Sequence, residues 1–484
     1  MTLVNEIISY APSTGEEVGR YPDTSPEMIH QLVARAKVGA ENWNTIGFNG
    51  RKGILRKWAA YIAANIDELA NLVSKETGKP TSDAMLEVAL AIDHLSWAAK
   101  NADRYLKNSY RSPGLLMANM STHVEHVPLG VVGVIGPWNY PVFTPIGSIG
   151  YALAAGNAVV FKPSEYTPGV GHWLGESFNH VAPGINALFV ATGGPETGKA
   201  LAESAVNKIA FTGSTRTGKK VAASCATNLT PVLMECGGKD AAIIDIDADI
   251  NRAAEAVLWG AMANAGQTCI GMERVYVHAQ VADKFISEIG RLAATVVAGK
   301  SYGAATMPAQ LAIIDAHIKD AASKGATFII GSADSVVPPY TNPTIMTNVP
   351  ENSSAMTEET FGPTLAINRV NSMGEAIALT NASRYGLGAS VWSKRNGKSI
   401  ASQLQCGMVS VNSVMSFTAS PTMPFGGIKD SGYGRIQGPE GLREFTYCRA
   451  VVRTRFNLPL NLTSLNRSTK SDNVIKKLIQ LLNR

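Results

Sequence analysis

Between residues 25 and 110 apolar side chains return every three or four positions. Ile54, Leu55, Trp58, Tyr61 and Ile62 form one such stripe, the spacing of an amphipathic helix. The run Lys75-Glu76-Thr77-Gly78-Lys79-Pro80 closes a further helix, because Gly followed by Pro is a stop signal. From residue 128 the pattern changes. Short uninterrupted apolar runs at 130–135, 158–161, 187–191, 208–211 and 241–244 alternate with helical stretches. Such runs suit parallel strands buried on both faces. A second alternating block runs from 253 to 430, with strands expected at 274–277, 327–330, 365–370 and 408–412. The pattern predicts a doubly wound α/β protein whose domains abut.

Composition adds exclusions. The chain has 484 residues, 45% hydrophobic and 17% charged, which is globular and matches two or three domains of roughly 100–200 residues. The net charge is +5, but residues 451–484 hold seven basic side chains and one acid, so the body is near neutral and offers no footprint for nucleic acid. Five cysteines without a CxxC pair argue against a disulfide framework or a zinc site and for a reducing, cytoplasmic compartment. The first residues carry no basic, then apolar, signal pattern. The segment 127–161 has no charge, but its prolines and glycines cut it too often for a membrane helix.

Several segments carry candidate chemistry. Phe211-Thr-Gly-Ser-Thr-Arg-Thr-Gly218 joins an expected strand to a helix beginning near 217, where backbone amides can approach a phosphate. It nearly matches a P-loop, with Asp245 as a partner acid, but Lys220 replaces the magnesium-binding hydroxyl. A nucleotide hydrolase is therefore a rival reading, and a plain strand–turn–helix another. Cys269 sits among small and turn residues that can present sulfur to a cleft, although a lone Cys is more often a small buried hydrophobe. Glu235 lies in an apolar, glycine-rich segment, where burial would raise its pKa and make it a base near neutrality. An exposed or paired Glu is the alternative. Asn139, between Pro137 and Pro141, can be a fixed amide donor or a turn residue. Lys162 and Glu165 follow a strand end, where α/β sheets bind ligands, or form a solvated pair.

Taken in order, PWNYP at 137–141, KPSE at 162–165, FTGSTRTG at 211–218, ECGGK at 235–239, GQTC at 266–269, EETFGP at 358–363 and PFGGIKDSG at 424–432 make the chain resemble the aldehyde dehydrogenase superfamily over residues 25–452. It departs at Cys236, where the family usually has Leu, and at Ile436, where it often has Glu. The resemblance implies a Rossmann-type cofactor domain (1–109 and 131–236), an α/β catalytic domain (237–430) and a small β oligomerisation flap (110–130 and 444–456). It implies a homodimer or homotetramer.

The resemblance also implies roles. Cys269 would be the nucleophile, Asn139 the oxyanion donor and Glu235 the base that hydrolyses a thioester to a carboxylic acid. No metal is needed. Trp138, Lys162, Ser164, Glu165, Gly213, Ser214, Gly218, Glu359 and Phe361 would hold the cofactor. The Glu165 carboxylate would repel a 2′-phosphate, so NAD is expected, with NADP the alternative. The substrate pocket would draw on Tyr140, Phe143, Gly147, Thr268, Ile270, Met415, Phe417 and Phe425. Gly147 falls where many relatives carry a bulky aromatic, and neither 140–147 nor 413–423 holds Lys or Arg. A medium- or long-chain aliphatic or aromatic aldehyde is expected, with a semialdehyde or amino-aldehyde the alternative.

The basic tail, 457–484, contains a stripe of Val474, Ile475, Leu478, Ile479, Leu481 and Leu482 opposite Lys476, Lys477 and Arg484. Such a helix can lie on an anionic membrane surface or dock on the body or a sister subunit.

Overall fold

The computed structural model describes residues 5–457 and 464–483; Arg484 and positions 458–463 of the basic tail lie outside the described residues. The chain divides into two units, 1–105 with 128–446, and 106–127 with 447–484.

The first unit is built on two sheets. One has the strand order Gly432–Tyr433, Val232–Glu235, Lys208–Thr212, Val131–Ile135, Ala158–Lys162, Leu188–Val190. Its five longer strands run parallel, and Gly432–Tyr433 pairs antiparallel with Glu235 and Met234. The strand order reverses beside Val131–Ile135, the kind of switch point where a crevice opens beyond the carboxyl ends of strands. The second sheet has the order Thr327–Ile330, Thr344–Thr347, Thr364–Val370, Met272–His278, Asp240–Ile244, Gly388–Trp392, Met408–Val411. Only Thr327–Ile330 is antiparallel in it.

The uninterrupted apolar runs are the fully buried strands of these sheets, Val131–Ile135, Ala158–Lys162 and Asp240–Ile244 among them. Both faces are covered by helices, so no strand there needs a polar side. The helical pattern after residue 25 becomes Pro26–Thr45, Gly47–Ala64, Ile66–Thr77 and Thr81–Leu106. Ser25 caps the first by accepting from the Met28 amide, and Gly78, at φ +79°, ends the third as a left-handed cap. An antiparallel hairpin, Glu6–Tyr10 with Glu17–Pro22, was not signalled by the apolar pattern. Its faces are only half buried, so the alternation is weak.

The second unit contains a three-stranded sheet in the order Thr446–Thr454, Met120–Pro128, Ser109–Arg111. The last strand begins inside the region expected to be helical up to 110. Arg449 pairs with Glu125 across this sheet at 2.6 Å. A helix, Thr469–Leu482, follows, capped by Ser468. Among the described residues no helix is long and apolar enough to cross a membrane, and no group of His, Cys, Asp or Glu could hold a metal ion.

Candidate active site

The strand Val232–Glu235 ends at the carboxyl edge of the six-stranded sheet, and after four intervening residues Asp240–Ile244 enters the second sheet at its amino edge. Cys269 lies just before Met272–His278, the neighbouring strand. The edges of two sheets thus converge on Glu235, the Gly237-Gly238 step and Cys269. A side-chain carbon on Gly238 would stand 2.5 Å from the Cys269 carbonyl oxygen, so only glycine fits.

A sharp reversal presents the cysteine. Asn264, Ala265 and Gly266 are consecutively left-handed, with φ of 53°, 57° and 70°. For the first two this costs on the order of 1 kcal/mol each. The loop is held from both sides. Asn264 Nδ2 donates to the Asn139 carbonyl at 3.0 Å, Asn139 Nδ2 donates to the Gln267 carbonyl at 2.9 Å, and Gln267 Oε1 accepts from the Thr306 amide at 2.9 Å. Tyr140 and Thr268 share a hydroxyl–hydroxyl bond of 3.0 Å. The structure therefore ties the PWNYP and GQTC segments together. Asn139 keeps one amide hydrogen beyond the bond to Gln267.

The carboxyl of Glu235 stands close enough to the Cys269 thiol for each to shift the other's pKa, and its Oε1 is buried without a partner. Burial pushes the Glu235 pKa up to about 8. Cys269 is held well above the ordinary thiol range, by burial first and by the charges of Glu235 and Glu359 next. Asp240 is the neighbouring buried acid. Its Oδ1 accepts from the Gly388 amide at 3.0 Å, its Oδ2 is unpaired, and burial raises its pKa to about 7. Glu359 accepts from the Gly238 amide at 3.0 Å and is likewise raised by burial.

Two buried lysine–glutamate pairs that the sequence reading passed over frame this pocket. Lys79 bonds Glu87 at 2.6 Å, with both side chains fully buried, and donates to the Asn139 carbonyl at 2.7 Å. Its ammonium lies 4.1 Å from the Tyr140 ring centre. The other Glu87 oxygen accepts from the Val142 and Phe143 amides at the start of the helix Phe143–Ala155. Lys239 pairs with Glu273 and bonds Thr360 at 3.1 Å, while Glu273 accepts from the Thr360 and Phe361 amides. One pair fixes the PWNYP loop and the other the EETFGP loop. A signal was present: Glu87 sits three residues after Ala84 and four before Ala91, at core spacing on an otherwise apolar helix face.

The expected cofactor residues gather around the switch point. Lys162 Nζ meets Glu165 at 3.2 Å, and Ser164 donates to the same oxygen at 3.4 Å. Trp138 and Phe361 meet edge to face, with ring centres 5.5 Å apart. Ser214 caps the helix Thr215–Ala226, which begins two residues before the expected 217, and Gly213 precedes it. Gly218 lies a turn inside that helix against Met234 and Cys236, so in the structure it serves close helix–strand packing. The P-loop rival loses its partner acid: Asp245 follows a strand of the other sheet and is bonded by Ser393 and Asn396.

Of the expected pocket residues, Thr268 and Ile270 flank Cys269 in the chain, and both are buried. Phe143 and Gly147 share one face of their helix, one turn apart. Met415, Phe417 and Phe425 are buried, the last two with ring centres 6.4 Å apart.

Comparison with known proteins shows the family. Residues 2–451 match the Aldehyde dehydrogenase family. The chain is 36% identical over 455 residues, 91% of its length and 87% of the relative's, to a protein from Mycolicibacterium smegmatis named putative succinate-semialdehyde dehydrogenase (NADP+). It is 32% identical over 464 residues, covering 94% of this chain and 87% of the other, to a 4,4'-diapolycopene aldehyde oxidase from Methylomonas sp. Among solved structures it resembles an NAD-dependent aldehyde dehydrogenase from Sinorhizobium meliloti, with a TM-score of 0.90 and 31% identity over 95% of this chain and 93% of that one.

Proposed function

This chain belongs to the aldehyde dehydrogenase family, and within that family we propose that it oxidises an apolar aldehyde, medium- or long-chain aliphatic or aromatic, to the carboxylic acid. The observation that carries the reading is the Cys269 thiol set against the buried Glu235 carboxyl, with the Asn139 amide tied into the same loop.

The Cys269 thiol, raised well above its ordinary range, first gives its proton to solvent; the thiolate sulfur then bonds to the aldehyde carbon, and the carbonyl oxygen becomes an oxyanion. The free N–H of Asn139 and the Cys269 backbone N–H donate to that oxygen. A bound nicotinamide cofactor supplies the hydride acceptor for this step, which leaves a thioester on Cys269. Glu235, as carboxylate, then takes a proton from water while the water oxygen bonds to the thioester carbon. The C–S bond breaks, the acid leaves and the thiolate returns. With the Glu235 pKa at about 8, most of it is protonated at neutral pH, so hydrolysis gains from alkali.

Lys162, Glu165 and Ser214 fit a dinucleotide: a charge pair at a strand end and a capped helix start lie where ribose and pyrophosphate would sit. Glu165 favours NAD, and its pairing with Lys162 leaves that lysine less free for a 2′-phosphate. The M. smegmatis relative's name supports NADP instead. The ratio of kcat/KM for the two cofactors decides, with NAD expected to lead.

For the substrate, the absence of Lys and Arg from 140–147 and 413–423 supports an apolar aldehyde. Lys79, the cation beneath Tyr140, is already committed to Glu87 and the Asn139 carbonyl. The semialdehyde alternative rests on the name of the M. smegmatis relative. Decanal should be oxidised with a higher kcat/KM than succinic semialdehyde; a sharp preference for the latter overturns this reading.

The three-part division into cofactor, catalytic and flap domains is part of the proposal. The strand Thr446–Thr454 exposes most of its side chains and lies at the edge of its sheet, where a sister subunit could pair with it; light scattering should find a dimer or tetramer. The helix Thr469–Leu482 exposes Val474, Ile479, Leu481 and Leu482, flanked by Lys470, Lys476 and Lys477, and suits the surface of an anionic membrane. Truncation at 465 should abolish co-sedimentation with anionic vesicles, and binding that is indifferent to salt counts against the idea.

A further inference from the structure

Two buried polar side chains that take no part in the mechanism above touch the Phe143–Gly147 wall of the pocket. His94 is fully buried, its ring edge-on to Phe143 with centres 5.1 Å apart. Its Nε2 lies 3.0 Å from the Thr418 carbonyl, and its Nδ1 has no partner. Gln437 is also fully buried, and neither its Oε1 nor its Nε2 has a partner. Its Nε2 stands 3.5 Å from where a side-chain carbon on Gly147 would be. Phe143 and Gly147 are separated by one helical turn, about 6 Å of rise, so the two unpaired groups flank neighbouring points of one wall. Folded proteins leave few buried amides wholly unpaired. Two such groups set against one face of the helix Phe143–Ala155 mark a place for a polar atom from outside the chain.

We infer that His94 and Gln437 form a neutral hydrogen-bonding end to the aldehyde pocket and accept a substrate that carries a hydroxyl group remote from its aldehyde carbon. The inference rests on the functional reading above and narrows its substrate class.

The donor and acceptor pattern selects the group. His94 Nε2 faces a carbonyl and so carries the ring proton, which leaves Nδ1 a bare acceptor. Burial pushes the His94 pKa down to about 4, so the ring stays neutral. Gln437 brings an N–H donor and a carbonyl acceptor. A hydroxyl can donate to His94 Nδ1 or Gln437 Oε1 while its oxygen accepts from Gln437 Nε2. A carboxylate would face the lone pairs of Nδ1 and Oε1, and the acid next to His94 in the chain, Asp93, is exposed.

The test compares matched pairs under NAD: hexanal with 6-hydroxyhexanal, decanal with 10-hydroxydecanal, and benzaldehyde with 4-hydroxybenzaldehyde. For each pair the ratio of kcat/KM, hydroxylated over parent, is read. The wild type should show a ratio of about ten for at least one pair, the scale of one added hydrogen bond. In Gln437→Met or His94→Phe the ratio for that pair should fall to about one; because it is a ratio within one preparation, partial misfolding does not move it. Loss of the preference in either variant supports the inference. A wild-type ratio of one or less for every pair, or a preference that survives both variants, overturns it while leaving aldehyde oxidation standing on the parent compounds. No NADH from any of the six aldehydes overturns the underlying reading as well.

Discussion

Glu87 and Glu273 are buried carboxylates that each meet a lysine, and each also accepts backbone amides from a loop beside the pocket. Glu235 and Asp240 are buried just as deeply a short distance away, form no ion pair, and each keeps an oxygen without a partner. Burial raises the second set to about 8 and about 7. The same side chain thus does two jobs according to its company. With a cation it becomes a rigid post that fixes the PWNYP or EETFGP loop. Without one it is a group whose proton moves near neutral pH, which a base for thioester hydrolysis must be.

Substitutions in either set should fail differently. The largest effect is expected in the unpaired set: Glu235→Gln should cut steady-state turnover by about 10²–10⁴-fold, yet preserve a first burst approaching one NADH per subunit in rapid-mixing kinetics. Unchanged turnover would move the base elsewhere. In the paired set, Lys79→Met should lower stability by about 3–5 kcal/mol at neutral pH, since it leaves Glu87 buried without its cation. Denaturant unfolding would read this. Asn139→Ala joins the comparison because its carbonyl is held by Lys79 while its amide donates to the Gln267 carbonyl in the Cys269 loop. It should cost about 10²–10³ in kcat with a smaller change in melting temperature. The mildest test needs no mutation: below the Glu235 pKa of about 8, the deacylation rate should rise about tenfold per pH unit and then level. A flat profile between pH 6 and 8 would contradict the assignment of Glu235.

The sequence disclosed one of these sets better than the other. Strands such as Val131–Ile135 and Asp240–Ile244 were legible because a strand covered on both faces leaves an unbroken apolar run. Glu235 was legible because a carboxylate among glycines and apolar residues is out of place. Lys79 was not, because it stands in a helix-stop signal, and Glu87 was marked only by its core spacing between Ala84 and Ala91 on a helix, where charges are ordinarily solvated. Only tertiary packing brings the two together and sets the ammonium under Tyr140. The left-handed run Asn264–Ala265–Gly266 was hidden at its centre, since Ala disfavours that backbone although Asn and Gly accept it. His94 and Gln437 became visible only through the bonds they lack.

The central claim is that Cys269, set against an unpaired Glu235, is the nucleophile of an aldehyde oxidation. Its most direct test is NADH formation from NAD and decanal by the purified wild type and by Cys269→Ala, side by side. The account predicts a steady signal from the wild type and none from the variant. Equal signals from both would contradict it.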